Sequence, residues 1–342
     1  MINIILFLLC FQTTFAVADD IRLRLNKRDL GMKQGKIISP EGISISPSGV
    51  IYVTSMKTGK VFSASKPDYN PVEVVDLSKL QGWKNGKRPK ALGTLAESEN
   101  QLWVALPNVW GGCIYSIKRS QKTTTAKAAF CHAGDVNGLV IDQAADRLYA
   151  TSRYAGFGTK GMILSIPLNE LKASVSKSEF ISFDSKKHLL VEADMPNGLA
   201  LSANKKSLLF VQTMKDRVSA VNIATKKVTT VFKTGESGWL DGLAYIEAHK
   251  LFVVTDSKLG KLHFFTARGE RVQSIEVLNL EGNSTGLASL SVLGDRIYVT
   301  DMWKGDFYAK AIEEITGEDS FITYHSRVYN LSIKELLGFK TR

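Results

Sequence analysis

A short unit recurs six times along this chain, and it constrains the fold more than any other feature: a residue, then glycine or its neighbour, then a β-rich run. The copies are Pro40-Glu41-Gly42-Ile43, Ala91-Leu92-Gly93-Thr94, Val136-Asn137-Gly138-Leu139, Pro196-Asn197-Gly198-Leu199, Leu240-Asp241-Gly242-Leu243 and Ser284-Thr285-Gly286-Leu287. Each precedes a run such as Val50-Ile51-Tyr52-Val53-Thr54, Leu208-Leu209-Phe210-Val211 or Ile297-Tyr298-Val299-Thr300. A third run follows, as in Lys261-Leu262-His263-Phe264-Phe265. The unit is an antiparallel meander of roughly forty to sixty residues, the size of a propeller blade. The expected fold is therefore all-β, a six-bladed β-propeller of four-stranded antiparallel blades.

In such a fold the first strand of each blade lines the central channel, so equivalent residues form a ring around one axis. Before the glycines that ring reads Glu41, Leu92, Asn137, Asn197, Asp241 and Thr285. Glu41, Asn137, Asn197 and Asp241 are oxygen donors suited to a hard cation, with two carboxylates to match a divalent charge. No His or Cys joins them to suggest zinc, and magnesium favours stricter octahedral geometry with retained water. One Ca2+ at the channel mouth is expected. A lone Asn-Gly or Asp-Gly is ordinarily a turn; four oxygen donors in matched register favour a metal site.

The stretch Met195-Pro196-Asn197-Gly198-Leu199-Ala200-Leu201-Ser202, followed by Leu208-Leu209-Phe210-Val211 and Arg217-Val218, resembles the fourth-blade signature of the calcium-dependent six-bladed propeller superfamily. That superfamily includes the senescence-marker-protein/gluconolactonase (regucalcin-like) family, the diisopropyl-fluorophosphatases, the paraoxonases and the strictosidine-synthase-like proteins. The resemblance implies that Glu41, Asn137, Asn197 and Asp241 bind a catalytic calcium and that the chain hydrolyses lactones or esters. The gluconolactonase pattern Arg-x-Asn-Asp-Gly is not kept. Here the third-blade stretch is Asp135-Val136-Asn137-Gly138, and without the arginine a sugar-acid lactone is disfavoured. Strictosidine synthases lack the calcium tetrad, which argues against that reaction.

Calcium would polarise a carbonyl or phosphoryl oxygen, with Asp241 expected as base or nucleophile and Glu41 mainly as ligand. Loops on the same face supply Met56, Trp110, Tyr154, Phe157, Trp239 and Trp303, an apolar wall for a small ester or lactone. Any one of these side chains could equally cap the channel or pack between blades. His132 and Asp135 enter the third blade nearby. The alternative function is a non-enzymatic, calcium-stabilised propeller that binds a small ligand or a protein.

Residues 1–18 carry an apolar run and a small-residue end, Ala16-Val17-Ala18, and read as a secretory signal; residues 19–342 are then one propeller domain, secreted and expected to be a monomer. Export would leave two cysteines, Cys113 and Cys131, which a hairpin centred on Lys122 sets opposite each other as a disulfide; free buried thiols are the other possibility. Ile21-Arg22-Leu23-Arg24-Leu25 and Ser320-Phe321-Ile322-Thr323-Tyr324 alternate as strands and are expected to meet in one blade and close the ring. The net charge is +11, but its lysines lie scattered over turns, a pattern of solvated surface rather than of a nucleic-acid groove. No stretch is long and apolar enough to span a membrane. Asn283-Ser284-Thr285 and Asn330-Leu331-Ser332 are glycosylation sequons.

Overall fold

The computed structural model describes residues 21–24, 39–66, 69–79, 91–108, 111–120, 123–132, 134–154, 160–177, 186–302 and 327–338. After an N-terminal strand β1 (Ile21–Arg24), blade one contains β2 (Pro40–Ile45), β3 (Ile51–Ser55), β4 (Lys60–Ala64) and β5 (Val72–Asp76). Blade two contains β6 (Thr94–Ser98), β7 (Gln101–Asn108), β8 (Gly111–Arg119) and β9 (Thr124–His132). Blade three contains β10 (Leu139–Asp142), β11 (Arg147–Ser152), β12 (Gly161–Pro167), the helix α1 (Leu168–Lys177) and β13 (Leu189–Ala193). Blade four contains β14 (Pro196–Leu201), β15 (Ser207–Gln212), β16 (Arg217–Asn222) and β17 (Val228–Lys233). Blade five contains β18 (Leu240–Ile246), β19 (Leu251–Asp256), β20 (Lys261–Thr266) and β21 (Arg271–Leu278). Blade six has three described strands, β22 (Leu287–Leu293), β23 (Arg296–Asp301) and β24 (Arg327–Ser332), followed by the helix α2 (Ile333–Gly338). This is the expected six-bladed propeller.

The second strand of a blade is covered on both faces by neighbouring blades, so it reads as a continuous apolar run instead of alternating. In β3 all five residues are buried. One apolar cluster fills each of the six blade interfaces. Tyr52, Leu102 and Tyr115 pack between blades one and two, and Ile43, Val53, Tyr298 and Val328 pack between blades six and one.

Gly42, Gly93, Gly138, Gly198 and Gly242 lie within or just before the inner strands, not in turns, because the next blade's backbone leaves no room for a Cβ. A Cβ on Gly93 would sit 1.9 Å from the Asn137 carbonyl oxygen, and one on Gly198 would sit 2.4 Å from that of Asp241. In four blades a threonine at the matching position of the second strand bridges the gap. Thr54 Oγ1 accepts from Gly42 N at 2.8 Å and donates to Leu92 O at 2.5 Å. Thr151 Oγ1 accepts from Gly138 N and donates to Asn197 O, each at 2.8 Å. Thr255 links Gly242 N to Ala288 O. Thr300 Oγ1 accepts from Ser289 N at 3.0 Å and donates to Glu41 O at 2.7 Å, joining blade six to blade one.

β1 runs parallel along β21 at the edge of blade five, with Ile21 opposite Ile275 and Arg24 opposite Leu278. Its Ile21 and Leu23 pack on the cluster between blades five and six, and Arg22 pairs with Glu276 at 2.8 Å. The third strand of blade six is β24, while Ser320–Tyr324 lie outside the described residues.

Cys113 and Cys131 are register partners on β8 and β9 and are joined by a disulfide within blade two. Residues 1–18 lie outside the described residues, among which no helix is long and apolar enough to cross a membrane.

Thr300→Val keeps the shape but removes the closing hydroxyl, leaving the buried Glu41 carbonyl and Ser289 N–H without it. The expected cost is about 1–3 kcal/mol in urea unfolding. Thr229→Val on an exposed strand position is expected to change stability by less than about 0.5 kcal/mol.

Candidate functional site

The strand register decides which residues share the channel. Pro40 faces Ser55, Pro196 faces Gln212 and Leu240 faces Asp256, each just before an irregularity in the pairing. Glu41, Asn197 and Asp241 therefore occupy one equivalent position. Leu92 and Asn137 join them, because the glycines after them make the same approach to the next blade. All four oxygen-bearing members are buried, between 3% and 8% exposed.

The sixth member differs from the expectation. Leu287 faces Asp301 as Leu240 faces Asp256, and Thr255 binds Ala288 O as Thr300 binds Glu41 O. The ring position is thus Ala288, three residues beyond Thr285. Thr285 instead sits before the strand, its Oγ1 donating to Val277 O at 2.8 Å. The shift arises because the β22–β23 hairpin is closed by Gly294 and Asp295 alone, whereas Glu247–Lys250 separate β18 from β19.

Electrostatics single out Asp241. Burial pushes its carboxyl up, the Arg153 guanidinium and a hydrogen bond from Asn197 oppose that, and the charge of Asp256 adds to it, leaving a value of about 6. Asp256 is itself fully buried and held low. Burial works against its charge, but His263 and the backbone N–H groups of Leu259 and Trp239 outweigh it. Its Oδ1 accepts from Trp239, Lys258 and Leu259 N–H groups at 2.9–3.0 Å. Asp301 repeats the device in blade six, accepting from Gly286 N at 2.8 Å. These aspartates fasten the chain just ahead of the inner strand.

Asp135 is also committed to structure: it accepts from Arg153 N at 2.6 Å, Arg153 Nε at 2.7 Å and Tyr154 N at 3.2 Å. His132 is buried and held as the neutral imidazole, chiefly by burial. Its Nδ1 accepts from Gly134 N at 3.1 Å, and its Nε2 lies 3.3 Å from Asp135 O, so it braces the loop instead of reaching the channel.

Arg153, which sequence reasoning did not select, stands at the end of β11. Burial weakens its charge, but Asp135, then Glu41 and Asp241, hold its proton more firmly than usual. The Asp135–Arg153 pair cancels in charge, leaving Glu41 and Asp241 as two negative charges at the centre. Among the expected wall residues, Met56 and Trp239 are half-buried, and Tyr154 is 46% exposed; Trp110, Phe157 and Trp303 lie outside the described residues. Of the sequons, Asn283 is exposed, whereas Asn330 is half-buried in β24 with its Oδ1 accepting from Arg296 Nε at 2.7 Å.

Among the described residues no three His, Cys, Asp or Glu side chains cluster as a metal centre; the candidate set pairs two carboxylates with two amides. It contains only hard oxygen donors, and its charge matches a divalent cation. The buried Nδ2 of Asn137 has no hydrogen-bond partner, so no donor contact fixes this amide and its oxygen is free to face the channel. The residues present fit calcium.

No family model and no curated protein sequence matches the chain. Solved structures do. The chain is similar to a calcium-binding regucalcin from Agrobacterium tumefaciens, with 13% identity, 88% of this chain and 92% of that one covered, and a TM-score of 0.60. A gluconolactonase from Xanthomonas campestris matches at 12% identity, with 80% and 85% covered and a TM-score of 0.58. The PQQ-bound aldose sugar dehydrogenase from Streptomyces coelicolor matches at 14% identity, with 87% and 95% covered and a TM-score of 0.59. The chain thus has the six-bladed propeller fold of the superfamily its sequence resembles.

Proposed function

We propose that the chain is a secreted, calcium-dependent hydrolase of lactones or esters, working at the mouth of the propeller channel. The observation that carries this reading is the buried set Glu41, Asn137, Asn197 and Asp241 on matched inner-strand positions, whose two negative charges remain once Asp135 and Arg153 are paired. The shared fold with a calcium-binding regucalcin and a gluconolactonase supports it, and the disulfide accords with export.

Glu41 and Asp241 would hold calcium through carboxylate oxygens, and Asn137 and Asn197 through amide oxygens. When bound, calcium supplies a Lewis acid that polarises a carbonyl or phosphoryl oxygen. Asn197 orients the Asp241 carboxylate by hydrogen bonding. Asp241 acts as base, taking at a carboxylate oxygen a proton from the water that attacks the carbonyl or phosphoryl centre, or as nucleophile, its oxygen bonding to that centre as the ester or lactone alkoxide departs; Glu41 serves mainly to hold the metal. Met56, Tyr154 and Trp239 present apolar surface to the body of the substrate.

Two outcomes are expected. First, a panel of aryl esters, lactones and a phosphotriester is hydrolysed by the calcium-loaded protein and not after chelation; absence of turnover on every member, with calcium bound, would leave a binding propeller. Second, the metal-free folded value of Asp241, about 6, lies above its ordinary 3.8, so ionising it removes stability as pH rises from about 4 through 6. Under chelation, Asp241→Asn is therefore expected to exceed the parent in stability at pH 7.5 by about 3 kcal/mol, and to lose that advantage at pH 4. With calcium saturating at pH 7.5 the order reverses. Thermal unfolding in the three conditions reads this directly.

A further inference from the structure

Among the described residues, Arg153 is a cation close to the ring carboxylates that the proposed chemistry leaves without a task. Arg153 follows β11 directly, and its base is immobilised from several sides. Asp135 accepts from its backbone N at 2.6 Å and its Nε at 2.7 Å. Gly161 lies against the Arg153 carbonyl, where a Cβ would come within 2.5 Å, and Gly134 lies against the Tyr154 carbonyl, where a Cβ would come within 2.0 Å. Ser152 Oγ donates to Tyr154 O at 2.8 Å. Such a grip sets the direction of the guanidinium before any ligand arrives.

The outer half of the side chain is used differently. Only Nε is bonded to Asp135; the two Nη nitrogens make no hydrogen bond among the described residues, and 30% of the side chain remains accessible. The guanidinium is near enough to Glu41 and Asp241 to act on both through space, yet it bonds neither. An arginine serving only to neutralise buried acids would be expected to pair with them bidentately. Here the fork of donors is kept available beside the candidate calcium site, the arrangement that suits a carboxylate or phosphate-type oxyanion.

We propose that Arg153 is the specificity-determining residue of this site and selects substrates that carry an anionic oxygen group, carboxylate or phosphoryl, next to the bond to be cleaved. The inference rests on the reading of Glu41, Asn137, Asn197 and Asp241 as the calcium site. It places anion recognition on the residue that follows β11, since the Asp135-Val136-Asn137-Gly138 stretch carries no arginine. The substrate then combines an apolar body with one negative charge, not an apolar body alone.

The test is titration calorimetry of the full mature protein, with and without calcium, using benzoate against benzamide and phenylphosphonate against its neutral dimethyl ester. The parent is expected to bind one or both anions at least about tenfold more tightly than the neutral partners; the pair that shows it separates a carboxylate from a phosphoryl preference. Arg153→Gln should lose that preference while leaving neutral-ligand affinity unchanged, Arg153→Lys should keep part of it, and calcium should bind a few-fold more tightly to Arg153→Gln because a like charge is gone. No preference in the parent, or an equal loss for anion and neutral ligand in Arg153→Gln, overturns the proposal. Anion preference retained in a protein without turnover on any ester would instead sink the hydrolase reading and leave the role of Arg153 standing.

Discussion

The inner strands of this propeller lie so close to one another that a backbone carbonyl of one blade occupies the place where the previous blade would carry a Cβ. Glycine makes this approach possible at Gly42, Gly93, Gly138, Gly198 and Gly242, and a second-strand threonine turns it into a hydrogen-bonded link in four blades. Many propellers close by exchanging a strand between the two ends of the chain. In this chain β1 is bound to blade five, so among the described residues the junction of blades six and one depends on Thr300 and a small apolar cluster.

The same contacts build the site. The close approach at the inner strands, with the Glu41 and Asn197 carbonyls bonded to second-strand threonines and the Asp241 carbonyl packed against Gly198, brings these side chains to matched positions in the channel and removes them from water. Burial is what raises the Asp241 carboxyl, and it is also why opposite charge is needed nearby. Arg153, fastened to Asp135, acts on both ring carboxylates, but its charge is balanced by that partner. The two carboxylates of the candidate donor set match the charge of a divalent cation.

Much of the architecture could be read from the repeat itself, because a strand enclosed on both faces must be apolar throughout and a tightly packed inner strand must carry glycine. The disulfide was legible too, since a hairpin centred near Lys122 places Cys113 and Cys131 opposite each other. Two features were not. The sixth ring position was displaced by a short hairpin at Gly294 that changes the spacing between first and second strands, although the shared Thr-Asp pairs, Thr255-Asp256 and Thr300-Asp301, carried the register. Arg153 was hidden because its partner, Asp135, is eighteen residues away in sequence and only the fold joins them.

The central claim is that the ring of inner-strand oxygen donors holds a cation, and locating that cation tests it most directly. A crystal of the protein soaked with terbium, a calcium mimic with strong anomalous scattering, is expected to show one dominant peak within bonding distance of Glu41, Asn137, Asn197 and Asp241. A channel without such a peak, or a peak bound elsewhere with these four side chains untouched, would contradict the account.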